Sequence, residues 1–419
     1  MRTRAALLGL ALTVGAGSAG IRPIPAQQVV QLPAADRPLG WTAPEVFTVG
    51  DDEVRAEEQF SRITATAFDT RDNLYVLDGD VGRIAVFDRT GTLVRQFGRK
   101  GEGPGELRFP AAMAVTVDGL VVVLDPGNRA LVVYDLDGKY QRNLPIDRAI
   151  GIGGRFLTAH PKGGVVFALN PGVSIVGGAP QIDTSGVRVF WQRSLEEGAE
   201  PVLLYTVKEP GDAAPTRVER SGNSVMMMRT APPAFTPRLH FGITGDGSLA
   251  FNRSADYELH VVTRPGAIAH ALVRPIRPRK VTEADKEMER KRRLDAMRSG
   301  SGPTIVVGGG GGGGVRPAIS QERLREAQEE GLRNLQFAET MPVIQGLLTD
   351  PGGRLWIWRA GPSAGNPPVI DIVDAAGRYA GTVSGLAFPS AVSNSGLASY
   401  STMNELDVPV VVVRRVPQA

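Results

Sequence analysis

Two stretches near the start of the chain repeat each other at one spacing of 47 residues. Residues 73–97 (NLYVLDGDVGRIAVFDRTGTLVRQF) align with residues 119–144 (GLVVVLDPGNRALVVYDLDGKYQRNL). Asp78 then matches Asp125, and Phe87 matches Tyr134. Self-similarity at 40–50 residues is typical of repeat architectures. The pattern therefore predicts a fold built from copies of one supersecondary unit.

Each unit has the pattern of four short strands. In residues 63–97 the β-prone runs ITATAF, LYVLD, RIAVFD and LVRQF alternate with the turn signals TRDN, DGDVG and DRTG. Asp and Gly in such turns supply side-chain hydrogen bonds and positive φ angles. Four strands in about 40 residues match one blade of a β-propeller, a four-stranded antiparallel sheet.

Fainter copies of the unit follow along the chain. We expect a third to a sixth blade in the following segments: 158–169 with 187–192 and 202–207, then 243–273, 344–383 and 386–416. The strand EVFTVG (45–50) precedes the first unit and is left over. It would complete the last blade and close the ring, which removes free sheet edges.

The stretch FGRKGEGPGELRFP (97–110), followed by AAMAVTVDGLVVVLDPGNRALVVYDLDG (111–138), resembles six-bladed β-propellers of the NHL-repeat type. The resemblance is specifically to exported bacterial members that have no assigned activity. It implies an all-β, six-bladed β-propeller of four-stranded antiparallel blades. We expect blades 1–4 with the closing strand in 41–277, and blades 5–6 in 341–417.

The N-terminal residues 1–26 have the pattern of a signal peptide. Arg2 and Arg4 precede an apolar run from Ala5 to Val14, and small residues follow, with possible cleavage sites after Ala19 and Ala26. Such a run is too short for a membrane span, which needs about 20 apolar residues. The pattern predicts an exported protein, periplasmic or extracellular, with no membrane span.

Residues 278–340 interrupt the repeats with a charged insert between blades 4 and 5. Eleven of the sixteen residues in 283–298 are charged, and Thr282 with Asp285 has the spacing of a capping box. A second helix is expected at 320–337, after the seven glycines at 308–314. We expect a helical hairpin with a flexible tether, lying on or over one propeller face.

Composition excludes several function classes. The formal net charge is only +3, and the chain contains no cysteine. A nucleic-acid partner usually requires basic residues concentrated on one face, so no nucleic acid is predicted. Thiol nucleophiles and thiolate metal ligands are absent from the sequence.

The four histidines are spaced too far apart for a zinc motif. If ELHVVTRPGAIAHAL (258–272) is a hairpin, we expect Thr263 to pair with Ile268 and Val261 with His270. His260 and His270 would then face opposite sides of the sheet. No metal site is therefore predicted, and zinc at the central channel stays open only if ligands converge from separate blades.

Four polar residues in two equivalent turns admit a calcium interpretation. Carboxylate and amide oxygens suit hard cations, but Asp and Asn also form tight turns routinely. The pattern favours the turn role for Asp78, Asp80, Asp125 and Asn128. No cofactor is predicted, with calcium at the channel left open beside zinc.

Propeller geometry places two sets of loops on one face. They are the connectors between successive blades and the loops between the second and third strands of each blade. The predicted binding residues on that face are Asp80, Arg83, Arg99, Lys100, Glu106, Arg108, Asn128 and Arg129.

Two functions are compatible with this placement. The first is a non-catalytic propeller that binds a protein, peptide or glycan partner. The alternative is a metal-dependent lyase or hydrolase with its site at the central channel. The resemblance alone cannot separate them, because one fold supports many functions. The catalytic residues of the alternative are not identifiable from the sequence.

Overall fold

The computed structural model describes residues 28–51, 58–147, 153–170, 173–176, 179–182, 187–208, 216–221, 224–229, 232–298, 330–363 and 366–417. The predicted signal peptide at 1–26 and the glycines at 308–314 lie outside the described residues. The described part of the chain begins with three strands: β1 (Gln28–Gln31), β2 (Pro38–Leu39) and β3 (Glu45–Val49).

Blades 1 to 3 are four-stranded antiparallel sheets in chain order. Blade 1 contains β4 (Ile63–Phe68), β5 (Leu74–Asp78), β6 (Arg83–Phe87) and β7 (Leu93–Phe97). Blade 2 contains β8 (Ala112–Val115), β9 (Leu120–Asp125), β10 (Ala130–Asp135) and β11 (Tyr140–Pro145). In blade 3, β12 (Gly153–Ala159) and β13 (Val165–Asn170) precede a hairpin of β14 (Val173–Val176) and β15 (Ala179–Ile182). The blade then continues with β16 (Val187–Arg193) and β17 (Val202–Lys208).

A second hairpin, β18 (Thr216–Ser221) and β19 (Ser224–Arg229), separates blade 3 from blade 4. Blade 4 contains β20 (His240–Ile243), β21 (Leu249–Asn252), β22 (Glu258–Arg264) and β23 (Ala267–Val273). The insert follows, with β24 (Arg279–Lys280), α1 (Glu283–Arg298) and β25 (Thr340–Met341). Blade 5 contains β26 (Ile344–Thr349), β27 (Leu355–Arg359), β28 (Val369–Val373) and β29 (Tyr379–Ser384). Blade 6 contains β30 (Ala391–Val392), β31 (Leu397–Met403) and β32 (Pro409–Arg415), with β3 as its outer strand.

Each interface between neighbouring blades has its own apolar core. In blade 1, Leu74 and Val76 pack toward blade 6, whereas Tyr75 and Leu77 pack toward blade 2. Successive side chains of a strand point to opposite faces of its sheet, so a strand between two blades is apolar throughout. Equivalent clusters of described residues join blades 2–3, 3–4, 4–5 and 5–6. Together with the cluster between blades 6 and 1, they close a ring of six blades.

Residues 28–49 form an N-terminal strap along three blades. β1 pairs in parallel with β23 of blade 4, and β2 pairs in parallel with β29 of blade 5. β3 then pairs antiparallel with β32, the position expected for EVFTVG. Blades 4 and 5 thus each contain a fifth strand, β1 and β2 respectively, that the sequence pattern did not predict.

An ionic cluster between blades 4 and 5 fastens the strap, with Arg274 and Asp371 buried and Asp36 about half exposed. Arg274 donates to Asp371, to Asp36 and to the carbonyl oxygen of Pro33 at 2.7 Å each. Arg359 also donates to both carboxylate oxygens of Asp36 at 2.8 Å. Burial works to raise the pKa of Asp36, but the two guanidinium groups outweigh it and hold that pKa below its ordinary value.

The insert is described in part. β24 and β25 pair antiparallel at its base, so its two ends lie side by side. The predicted capping box is present at the start of α1: Asp285 accepts from Thr282 N at 2.9 Å, and Arg279 adds two bonds of 2.7 Å. Of the second predicted helix, residues 330–333 are helical, and 320–329 lie outside the described residues. Among the helices of the described residues, none has the length and hydropathy to cross a membrane.

The register expected for the blade 4 hairpin is partly wrong. Val261 pairs with His270 as predicted, but Ile268 pairs with Val262 rather than with Thr263. The strand pairing shifts on both sides of Val262, because Ala269 on β23 and Thr263 on β22 are each one extra residue. Such bulges change register without a signal in the apolar pattern.

Candidate functional site: the connector face

The connector face contains the loops between blades and the loops between second and third strands. Its best-defined part is the connector 98–111 from blade 1 to blade 2. Asp125 is fully buried beneath it and accepts from the backbone N–H groups of Arg108 at 2.7 Å and Phe109 at 2.9 Å. Tyr134 Oη donates to the carbonyl oxygen of Gly105 at 2.9 Å. These bonds hold an irregular loop in one conformation.

Asp78 has the same role one blade earlier. Its carboxylate is fully buried and accepts from Ser61 N at 2.8 Å and Arg62 N at 3.2 Å. In both blades the carboxylate ties the incoming connector to the loop between the second and third strands. The repeated Asp therefore has the turn role that the pattern favoured, since backbone donors occupy both oxygens of each carboxylate.

The structure brings the predicted charged residues of the connector together. Arg99 Nε lies 2.6 Å from Glu106 Oε1, and Lys100 Nζ donates to the carbonyl oxygen of Asp80 at 2.9 Å. Arg108 forms an ion pair of 2.9 Å with Glu102. The N–H of Gly103 and the Arg99 guanidinium lower the pKa of Glu106. These cations are therefore already engaged in contacts within the face.

The other predicted residues support the face from below. Asn128 Nδ2 donates to the carbonyl oxygens of Gly101 and Glu106, so it joins blade 2 to the connector. Arg83 points inward, with Nη2 2.5 Å from the carbonyl oxygen of Gln59 and 3.6 Å from Asp78. Arg129 has a positive φ of 53° and is half-buried. These three side chains therefore offer a partner less surface than predicted.

Three large apolar side chains lie exposed on consecutive blades of this face. Leu406 of blade 6 is 66% exposed, Val81 of blade 1 is 40% exposed, and Phe109 on the connector to blade 2 is 61% exposed. A Cβ atom on Gly127 would lie 2.7 Å from the Phe109 ring, so the ring rests directly on the backbone of blade 2. We call this surface, with Arg99 and Arg108, the open arc. The charges of this surface were predicted from the sequence, but its apolar residues were not, although Phe109 stands in the stretch FGRKGEGPGELRFP.

The chain itself covers part of the rest of the connector face. Ala234, before blade 4, donates to the carbonyl oxygen of Gln336 at 2.7 Å, and the Phe235 and Phe337 rings lie 5.9 Å apart. Arg279 of the insert donates to the carbonyl oxygen of Gly361 in blade 5 at 3.1 Å. The described parts of the insert thus contact blade 5 and the segment before blade 4, whereas blades 6, 1 and 2 form the open arc.

The central channel offers few groups for metal chemistry. The six innermost strands β4, β8, β12, β20, β26 and β30 contain no Asp or Glu, and their ionisable residues are Arg155 and His240. Among the described residues, no three His, Asp or Glu side chains come together in a metal-like arrangement. His160 is buried in the turn after β12, and His260 and His270 lie on β22 and β23.

Comparison with known proteins agrees with this architecture over part of the chain. The DUF5128 family model, described as a 6-bladed beta-propeller, matches residues 57–157. The human E3 ubiquitin-protein ligase NHLRC1 is 33% identical over 89 residues, which is 20% of each chain. The chain therefore spans about a fifth of the length of this curated relative.

Two solved structures extend over most of the chain at low identity. A protein of Bacteroides fragilis described as exported is 10% identical, with a TM-score of 0.44 over 93% of this chain and 100% of its own. Virginiamycin B lyase from Staphylococcus aureus is 10% identical, with a TM-score of 0.40 over 90% and 98%. The strand order and the six inter-blade cores show that the chain folds as a six-bladed β-propeller, and over residues 57–157 its sequence is similar to the six-bladed propeller family.

Proposed function

We propose that this propeller is non-catalytic and binds a protein or peptide partner through the open arc. The observation that carries the proposal is the exposure of Phe109, Val81 and Leu406 on loops of three consecutive blades. Aromatic and arginine side chains dominate the binding energy of protein interfaces. Arg108 stands beside Phe109, with its guanidinium carbon 5.7 Å from the ring centroid.

Preorganisation of the connector supports the same function. The loop conformation is fixed by Asp125, Tyr134 and Asn128 rather than by a partner. Binding then requires little loss of conformational entropy in the loop, so more of the contact energy appears as affinity. A glycan, the other ligand class considered, would stack on the exposed ring but would gain less from the isolated Val81 and Leu406.

We place this activity outside the cytoplasm, in the periplasm or the extracellular space. The support is the pattern of residues 1–26, with its two arginines, apolar run and small residues.

A photo-crosslinking amino acid at position 109 tests the proposal. The aromatic photo-crosslinker p-benzoyl-phenylalanine resembles the natural side chain, and irradiation of intact cells should give a discrete crosslinked protein. The matched control is the same residue at Val117, which is 56% exposed in a first-to-second-strand turn on the opposite face. Equal crosslinking from both positions, or none from 109, would count against the open arc.

Metal analysis separates the proposal from the alternative, a metal-dependent lyase or hydrolase at the central channel. Purified protein should contain well under one equivalent of zinc or calcium after dialysis without chelator. Stoichiometric metal would favour the enzyme, with ligands supplied by loops rather than by the innermost strands.

A further inference from the structure

A cleft of about 580 Å³ lies on the face opposite the open arc, between blades 3 and 4. Its walls are the turns that follow β12 and β20 and the loops that follow β16 and β22. Small-molecule sites usually measure about 300–1,000 Å³. The cleft is therefore large enough for a ligand of some ten to twenty heavy atoms.

The walls of the cleft are joined by main-chain contacts. The N–H of Gly266 in blade 4 donates to the carbonyl oxygen of Leu204 in blade 3 at 2.8 Å. Leu249 and Val262 are buried beneath the cleft and belong to the core between the two blades. The floor is thus apolar and the two walls cannot separate without breaking a hydrogen bond.

His160 contributes a neutral polar group to this floor. Its Nδ1 accepts from the N–H of Lys162 at 3.2 Å, which leaves the proton of the neutral ring on Nε2. Burial lowers the pKa of His160, against the opposing effect of a backbone hydrogen bond with Gly247. The imidazole is therefore uncharged near pH 7.

The two acidic side chains of the cleft have partners within the protein. Asp246 accepts from Thr244 Oγ1 at 2.5 Å and from Ser248 N and Oγ at 3.0 Å, so its hydrogen bonds come from its own turn. Burial lowers the pKa of Arg193, and the nearby Glu200 carboxylate offsets part of this effect.

Unlike these acids, the two cations that line the cleft have no hydrogen-bonded partner among the described residues. Within the described part of the chain, no group accepts a hydrogen bond or ion pair from the Lys162 ammonium or the Arg264 guanidinium. On the open arc, by contrast, Arg99 and Arg108 each have an acidic partner. The hydrogen-bond donors of these two side chains are therefore available to a ligand, although the Lys162 ammonium also lowers the pKa of Asp246.

We propose that this cleft is a second binding site, which takes a small organic anion with an apolar body. The carboxylate or sulfonate of such a ligand pairs with Lys162 and Arg264, and its apolar body covers Leu249, Val262 and Leu204. The site is independent of the open arc, because it lies between other blades and on the other face.

Two fluorescent probes with related apolar bodies test the proposal. The anionic probe is 1-anilinonaphthalene-8-sulfonate, and the neutral one is N-phenyl-1-naphthylamine. The folded full-length protein should bind the sulfonate at least about tenfold more tightly than the neutral probe. The double variant K162Q/R264Q should bind the sulfonate about tenfold more weakly or worse, the loss expected when a charge-assisted contact disappears.

The controls separate the cleft from general effects of charge and of unfolding. The matched variant K139Q/R89Q removes two exposed cations in turns of blades 2 and 1, and F109S alters the open arc; both should leave the affinity for the sulfonate unchanged. Near-ultraviolet circular dichroism checks that each variant is folded, because molten states bind this probe. No binding to the folded protein, equal affinity for the two probes, or unchanged affinity in K162Q/R264Q would overturn the proposal.

Discussion

The Arg274 guanidinium and the Asp371 carboxylate form an ion pair that is wholly enclosed between blades 4 and 5. Nη1 of Arg274 lies 2.7 Å from Oδ2 of Asp371, and neither side chain has exposed surface. Thr382 Oγ1 and Arg359 Nε also donate to Asp371, at 2.6 Å and 3.2 Å. Burying two charges is unfavourable unless they are fully paired and hydrogen-bonded, so removing one partner strongly destabilises the folded state.

We therefore expect Asp371→Asn to destabilise the protein strongly. The variant keeps the shape of the side chain but leaves Arg274 and Arg359 with Asp36 as their remaining carboxylate. Breaking a buried ion pair costs about 3–5 kcal/mol. Urea denaturation followed by tryptophan fluorescence measures this loss in the free energy of unfolding.

The matched control is the exposed pair Arg62–Asp80 on the open side of blade 1. Its atoms are also 2.7 Å apart, but both side chains are about half exposed. Asp80→Asn should cost less than about 1 kcal/mol. Similar losses in the two variants would show that burial does not set the strength of the Arg274–Asp371 pair.

Asp36→Ala should loosen the strap while the blades stay folded. Asp36 is the strap carboxylate held by Arg274 and Arg359, and Leu32 N donates to the carbonyl oxygen of Val273 nearby at 2.8 Å. Without that carboxylate, β1 should open more often, since local opening is governed by local contacts. Hydrogen–deuterium exchange should become several-fold faster in residues 28–37 and remain unchanged in blade 2.

The control for this experiment is Asp137→Ala. Asp137, which is exposed in a turn of blade 2, pairs with Arg95 of blade 1 at 2.9 Å, away from the strap. If both variants give the same exchange in residues 28–37, Asp36 does not fasten the strap.

Asp125→Ala should disorder the connector that displays Phe109. The change leaves the N–H groups of Arg108, Phe109 and Gly127 without their acceptor. Each unsatisfied buried group costs about 1–3 kcal/mol, so the loss should be at least about 2 kcal/mol by urea denaturation. Crosslinking from position 109 should also fall.

Asp135→Ala, in an exposed turn of the same blade, should keep the crosslink; its loss there too would mean that the effect is not local.

The first two blades could be predicted from the sequence because local signals coincide there. LYVL (74–77) and LVVVL (120–124) are apolar throughout, the turns carry Asp and Gly, and Asp78 and Asp125 recur at one spacing. The charged residues of the connector could also be placed on one face, since strand direction alternates regularly within a blade.

The strap and its ionic cluster could not be predicted in this way. QVVQ is four residues long and pairs in parallel with a strand more than 200 positions away, so no local pattern marks it. Arg274 and Asp371 are of residue types that are usually exposed, and only the packing of blades 4 and 5 buries them. Phe109 was missed for the opposite reason, because an aromatic residue is expected in a core.

His160→Asn should reduce the dependence of stability on pH between about pH 5 and pH 7.5. Burial lowers the pKa of His160 in the folded protein below the unfolded value of about 6.5. Below that pH the unfolded state binds more protons than the folded state, so stability falls as the pH falls. Asn retains an acceptor for the N–H of Lys162 but does not titrate. Urea denaturation at both ends of this pH range gives the difference in unfolding free energy. That difference should be smaller for the variant than for the wild type. Burial also lowers the pKa of His260, but this contribution is the same in both proteins. An unchanged difference would mean that His160 titrates alike in the folded and unfolded states.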